Sequence, residues 1–321
     1  MNYEFFSIFK IEFSDYMELL KHSNRRLECF AYPLMMFDKY LTQIKLDSKE
    51  ITYNIIDSWF ESMEIKQITK QSRLNIIRGF IKYLRSIKID SDLPDYISAS
   101  SNYVPYIFTD DEFEKIINIS DNLISPTKKC SLQYYQFPFL IRLLYGCGLR
   151  LGEALALQWK DIDNNNGIIT IQNSKNLTQR LTPMSNSLNE IFQHYRRSGI
   201  CGINETDYLF AKPNELPFTK TSFKRMFNRV LALSGINIKR YDRHERGPCL
   251  HCFRHLFVTK SFLKAQSEGK NFNDYIPFLS TYLGHSNIMG TNKYFNSNYN
   301  LHIDSHKKIN DYLDGVFPKG R

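Results

Sequence analysis

LHCFRHLFVTKSF (residues 250–262) and FLSTYLGHSNIMGTNKYF (residues 278–295), separated by a polar insert, form the stretch around which this chain is organised. His251 and Arg254 stand three apart on a helical pattern, so they share one face. Leu250, Phe253, Phe257 and Val258 supply the apolar companions that face a core. Leu283-Gly284-His285 reads as a helix ending on a glycine, with an imidazole emerging at the turn. Asn287 is placed to cap a short helix that ends near Tyr294. Two histidines, an arginine and a tyrosine, with no clustered carboxylates, point to chemistry on an anion, phosphate first. The tyrosine is one of 20, so its place in this order is what carries meaning.

Outside this stretch, 321 residues suffice for two domains, each with its own core. Basic residues number 42 against 33 acidic ones, a net charge of +9 that favours a polyanionic partner, nucleic acid above all. The six cysteines (Cys29, Cys130, Cys147, Cys201, Cys249, Cys252) are scattered, as expected of reduced thiols in a cytoplasm. The first residues, MNYEFFSIFKIEF, mix aromatics with Glu4, Lys10 and Glu12 and contain no signal-peptide core. No apolar run approaches membrane-spanning length. A cytoplasmic protein without a membrane partner is expected.

In chain order, residues 1–89 read as helices only. Apolar residues recur at helical spacing from Phe9 to Leu20 and from Leu27 to Phe37, with Pro33 expected to bend or restart the second segment. Further helices are expected at Tyr53–Met63 and Lys70–Ile87. The last carries an apolar stripe of Ile76, Ile77, Phe80, Ile81 and Leu84. Opposite it, Arg78, Lys82 and Arg85 form a basic stripe: a solvated face or, in a basic chain, one that tracks phosphates. Residues 90–108 (DSDLPDYISASSNYVPYIF) read as an inter-domain linker. Thr109 with Glu112 is a capping box that opens the second domain, residues 109–299.

An apolar helix from Pro138 to about Tyr145 ends at Gly146 and Gly148. Arg150, between two leucines at that bend, is expected to pair with Glu153. Asn164-Asn165-Asn166-Gly167 marks a turn before the strand Ile168–Gln172, and Arg180-Leu181-Thr182-Pro183 reads as the returning strand, with Lys175 in the connection. Helices follow at Ser187–Arg196 and Ser222–Leu233, the latter carrying Lys224, Arg225 and Arg229. The loop KRYDRHERG (239–247) adds Lys239, Arg240 and Arg243. Residues 300–321 are expected to form an amphipathic tail helix. Together these features predict a mainly helical chain with one small β-sheet, an α+β second domain behind an all-helical first one.

Cys249, His251, Cys252 and His255 lie within seven residues, which raises zinc. Four ligands from one short segment cannot surround an ion, because helix neighbours point about 100° apart. No second Cys/His pair with ligand spacing is present. The expectation is no metal site, with the two cysteines as packing residues.

The ordered set Arg150, Lys175, His251, Arg254, His285 and Tyr294 resembles the tyrosine recombinases, also called the phage integrase family. The pieces that carry the resemblance are GLRLGEALALQWKDID (148–163), the hairpin from Ser174 to Pro183, HCFRHLFVTKSF and LGHSNIMGTNKYF, spanning about residues 108–295. The insert Gln266–Pro277 looks longer than in compact members. The resemblance implies a catalytic domain behind a helical core-DNA-binding domain, with Tyr294 as nucleophile and Arg150 and Arg254 on the phosphate. It makes Lys175 the acid for the leaving 5′-oxygen, His251 the acceptor of the tyrosine proton and His285 a further donor. It implies duplex DNA with specific recombination sites, a homo-tetramer on that DNA with or without sister recombinases, and a 3′-phosphotyrosyl intermediate. No metal and no nucleotide cofactor is needed for such chemistry, and no glycine-rich phosphate loop is present. The rivals are a topoisomerase of type IB and a non-catalytic DNA-binding protein of the same fold. Arg78, Lys82, Arg85, Lys224, Arg225, Arg229, Lys239, Arg240 and Arg243 are the expected backbone-contacting residues.

Overall fold

Aromatic residues at helical spacing build the first part of the chain. The computed structural model describes residues 3–23, 25, 27–99, 105–125, 131–172, 179–199, 204–236 and 247–284. It divides into two units, Met1–Asn102 and Tyr103–Arg321.

The first unit holds α1 (Lys10–His22), α2 (Leu27–Gln43), α3 (Tyr53–Glu61) and α4 (Gln67–Ser86). Phe13 of α1 stacks on Phe80 of α4, ring centroids 4.1 Å apart, and Phe37 of α2 packs on Trp59 of α3. Such pairs add about 0.5–1.5 kcal/mol each beyond the area they bury. The buried Asp38 carboxylate accepts the backbone N–H groups of Phe6 and Ser7, which fixes the entry to α1. Pro33 does not restart α2, which runs through it. A mid-helix proline costs about 3 kcal/mol, and burial of Ala31, Leu34, Phe37 and Leu41 along one continuous face opposes that cost.

The start of the segment 90–108 is built into this unit. Asp92 N donates to Ile51 O at 2.7 Å, and the Asp92 carboxylate accepts Tyr53 N. Leu93 and Ile97 pack on the core. The segment also runs beside α4, where Gln71 donates to Ile97 O and Arg85 Nε to Ser91 O. Arg78 therefore departs from the expected phosphate-tracking stripe: it is buried, with its guanidinium 3.7 Å from the Tyr96 ring centroid. Lys82 and Arg85 are exposed.

The second unit takes in Tyr106, Ile107 and Phe108, Phe108 being buried against Phe253 and Phe227. α5 (Asp110–Asp121) opens with the Thr109–Glu112 capping box. α6 (Ser131–Gly146) begins a turn and more ahead of Pro138 and forms the centre of the core through Phe137, Leu140, Ile141 and Leu144. After the short α7 (Leu151–Ala154) and a 3-10 turn come β1 (Ile162–Asp163), β2 (Ile168–Ile171) and β3 (Arg180–Pro183). They form an antiparallel sheet in that order, with Ile171 opposite Arg180 at the hairpin end. α8 (Asn186–Arg197), α9 (Lys220–Leu233), α10 (Cys252–Ser267) and α11 (Phe272–Leu283) complete the described part. The chain is thus mainly helical, with one small sheet in its second unit.

The expected insert Gln266–Pro277 is largely helical, since α10 ends at Ser267 and α11 contains Pro277. Ile276, Leu279 and Leu283 bury against Val258 and Phe262, so α10 and α11 form one helical hairpin. The tail 300–321 lies outside the described residues. Among those described, no helix is long and apolar enough to cross a membrane.

Candidate active site

Glu153 is the hub of the site. It occupies the third position of α7, and its carboxylate reaches back to accept Arg150 N at 2.9 Å, closing the first turn. The same carboxylate accepts Arg150 Nη1 at 2.7 Å, and Arg180 grips it with both Nη2, at 2.7 Å, and Nη1, at 3.2 Å. Arg254 Nη1 stands 3.9 Å away. Burial alone would raise the Glu153 pKa. Hydrogen bonds from Arg180 and from the Arg150 backbone, with the charge of Arg180, outweigh burial and pull it to about 2.

Arg254 comes from the first turn of α10 and is fully buried. Its Nη1 donates to Gly148 O and its Nη2 to Leu283 O, both at 2.8 Å. Arg180 Nε donates to Tyr282 O at 3.0 Å. The last carbonyls of a helix lack intrahelical partners, so these two arginines cap the end of α11. A charged donor is worth about 1.5–3 kcal/mol in such a bond.

Two glycines make this approach possible. Gly148 has φ +59°, and a Cβ there would meet Phe257 Cδ1 at 2.5 Å. Gly284, the residue after α11, has φ +66°, and a Cβ would meet the Arg180 guanidinium at 2.9 Å. A side chain at Gly284 would meet Arg180 directly, and one at Gly148 would strain the loop whose carbonyl Arg254 holds.

His251 is the residue before α10, so its imidazole stands at a helix N-terminus with its outer edge open to solvent. The surrounding protein, then the charges of Arg254 and Arg150, lower its pKa to about 4. That shift favours the neutral imidazole, the form able to accept a proton. It meets His255 edge-on, ring centroids 4.9 Å apart. Burial, then His251 and Arg254, lower His255 to about 3.

Arg150, His251 and Arg254 are therefore brought together from two distant parts of the chain, with Arg150 part-exposed at 37% of its side chain. Lys175, His285 and Tyr294 lie outside the described residues, as do Lys239, Arg240 and Arg243. Two described landmarks bear on them. The Ile171–Arg180 pair that flanks the Lys175 connection is at the Glu153 end of the sheet, and α11 ends two residues before His285. Lys224, Arg225 and Arg229 are exposed on α9, where Arg229 is bonded to the Tyr134 hydroxyl.

Arg180 and Lys220 are site residues that sequence reasoning missed. Lys220 opens α9 and lies over α7, its Nζ 3.1 Å from where a Gly152 Cβ would stand, which puts an ammonium beside the Arg150 turn. Among the described residues, no group of three His, Cys, Asp or Glu is placed to hold a metal ion. Cys249 and Cys252 instead contact each other. The assembled groups can neutralise, hydrogen-bond and exchange a proton with an oxyanion such as a phosphodiester.

The model of the phage integrase family matches residues 107–300. A tyrosine recombinase of Pseudothermotoga lettingae is 24% identical, covering 96% of this chain and 98% of its own. An integrase/recombinase of Acholeplasma phage L2 is 29% identical over 85% of this chain and 86% of its own. Among solved structures, a lambda integrase (75–356) dimer bound to a COC′ core site superposes with a TM-score of 0.64. It is 15% identical, covering 88% of this chain and 93% of the other. XerH recombinase in a post-cleavage complex with palindromic difH superposes with a TM-score of 0.62. It is 20% identical, covering 84% and 75%. These likenesses establish the fold.

Proposed function

The chain belongs to the phage integrase family, and from that premise we propose that it is a site-specific DNA recombinase working through a covalent 3′-phosphotyrosyl intermediate. The observation that carries the reading is the convergence of Arg150 and Arg254 on one buried carboxylate beside His251. The relatives and structural neighbours named as recombinases and integrases support it.

In this reading the phenolic oxygen of Tyr294 attacks the scissile phosphorus. The new phosphorus–oxygen bond forms as the bond to the 5′-oxygen breaks. His251 takes the phenolic proton, and Lys175 gives one to the departing 5′-oxygen. Negative charge builds on the non-bridging oxygens as phosphorus becomes five-coordinate, where forked guanidinium donors act best. Arg150 and Arg254 meet that charge, with His285 adding a donor. Arg254 serves twice. Two of its N–H groups are held by the carbonyls of Gly148 and Leu283. Glu153 holds the Arg150 fork in place.

The same reading extends to a homo-tetramer on two DNA sites, with or without sister recombinases, acting in the cytoplasm through a four-way junction. Covalent trapping tests its core. Wild-type protein and Tyr294→Phe are incubated with a nicked duplex of a candidate attachment site and run on denaturing gels. A slow, protease-sensitive DNA adduct is expected with wild type only. An adduct that survives Tyr294→Phe would remove the assigned nucleophile. Relaxation of a plasmid without any attachment site would move the topoisomerase reading to the front.

A further inference from the structure

Two thiols flank His251 in the sequence Cys249-Leu250-His251-Cys252, and the phosphoryl chemistry uses neither. Their sulfurs lie 3.6 Å apart. The backbone between them is already folded back: Cys252 N donates to Cys249 O at 2.8 Å, and Cys249 N to Cys252 Sγ at 3.3 Å. A turn closed in this way brings its first and fourth Cα atoms within about 7 Å, inside the limit for bridging two cysteines.

The two sulfurs are not equivalent. Cys252 is fully buried at the start of α10, whereas Cys249 is part-exposed. The Cys249 pKa is lowered to about 6, first by the hydrogen bond from Cys252. Burial opposes this, and the backbone N–H groups of His251 and Cys252 and the charge of Lys224 reinforce it. The Cys252 pKa is raised, chiefly by its role as donor to Cys249 and by burial. An accessible sulfur with thiolate character, backed by a buried partner, is the arrangement of an attacking and a resolving cysteine.

We propose that Cys249 and Cys252 form a reversible disulfide that displaces His251 and so disables the site. This rests on His251 belonging to the recombinase centre. The oxidant is a low-molecular-weight disulfide. Cys249 thiolate attacks one of its sulfurs and expels a small thiolate, leaving a mixed disulfide. Cys252 gives up its proton and attacks Cys249 Sγ, expelling the second small thiol. Two protein thiols are oxidised, and one small disulfide is reduced to two thiols. Bond formation brings the sulfurs to about 2.05 Å, and the contraction falls on the turn whose third residue is His251. That residue's carbonyl accepts Arg254 N at 3.1 Å, so the start of the arginine helix is drawn on as well.

The test equilibrates the full chain in glutathione buffers of graded oxidised-to-reduced ratio, alkylates free thiols and maps peptides by mass. The His251 imidazole is followed by NMR, assigned with His251→Ala, and adduct formation on nicked duplex is measured in parallel. A Cys249–Cys252 disulfide is expected, with a shifted His251 signal and a loss of adduct of about a hundredfold or more, the scale of a displaced acid–base group. Dithiothreitol should reverse all three. Cys249→Ser, and Cys249→Ala should the first fold poorly, is expected to keep its His251 signal and its adduct under oxidant. No disulfide between these residues, or a disulfide that leaves both His251 and the adduct unchanged, overturns the proposal. Should the reduced protein give no adduct, the recombinase reading fails. Peptide masses and the His251 signal then decide the disulfide alone: a bridge with a shifted signal upholds it, and an unchanged signal overturns it.

Discussion

Replacing Glu153 with glutamine isolates the hub of the site. The substitution keeps the shape but removes the charge, and it turns an NH2 group toward guanidinium donors. The Glu153 side chain is only 8% exposed, as is that of Arg180. Removing one partner of a buried ion pair costs about 3–5 kcal/mol. A second route gives a similar size. The carboxyl pKa falls from 4.5 to about 2, which at about 1.36 kcal/mol per unit corresponds to about 3 kcal/mol. The sign fixes a pH window. A depressed carboxylate stabilises the fold fully above its unfolded pKa of about 4.3 and loses that contribution as pH falls toward 2. Wild type should lose about 3 kcal/mol between pH 5 and 2 from this group, and Glu153→Gln should lack that part of the slope. Urea unfolding followed at Trp159, in a Trp59→Phe background, reads the second unit. A cost below about 1 kcal/mol at pH 7, or equal acid slopes in the two proteins, would refute the hub.

Gly148→Ala should destabilise the second unit by about 2–4 kcal/mol, combining left-handed strain with displacement of Phe257. A near-neutral midpoint in urea would show that the loop holding Arg254 adapts freely. His255 has a lowered pKa, so the stability it contributes is present above about pH 6.5 and lost as pH falls toward 3. His255→Gln should flatten that limb of the thermal midpoint against pH, and an unchanged limb would contradict it. Lys220→Ala should weaken binding to duplex DNA and reduce the slope of log affinity against log salt by about 1. An identical slope would take Lys220 off the phosphate path.

Periodic features were legible. The helical stripes, the Thr109 cap, the Arg150–Glu153 pair and the glycine end of α11 follow from spacing and turn chemistry, and they stand where expected. Non-periodic packing was not legible. Residues 90–97 contain nothing that announces a surface laid against α4, so Arg78 reads as exposed although Tyr96 covers it. Arg180 was hidden by an inverted strand: Leu181 points outward at 62% exposure while Thr182 is fully buried. An alternation rule would send Arg180 to solvent. Lys220, the first residue of α9, lies beside Gly152 of α7, a juxtaposition that no local pattern records. Lys175, His285 and Tyr294 rest on their order in the chain.

The arginine cluster has a consequence in net charge. Arg150, Arg180, Arg254 and the neighbouring Lys220 face the single carboxylate of Glu153, so with His251 neutral at rest these described groups sum to a formal +3. A resting phosphodiester carries one negative charge and a five-coordinate phosphorane two, and in the proposed reading the proton passed to His251 adds a positive charge at the same moment. In that reading the positive surplus would stabilise the species at the top of the barrier more than the one the site first binds. Free dianions such as sulfate should occupy it in the absence of DNA and act as competitive inhibitors.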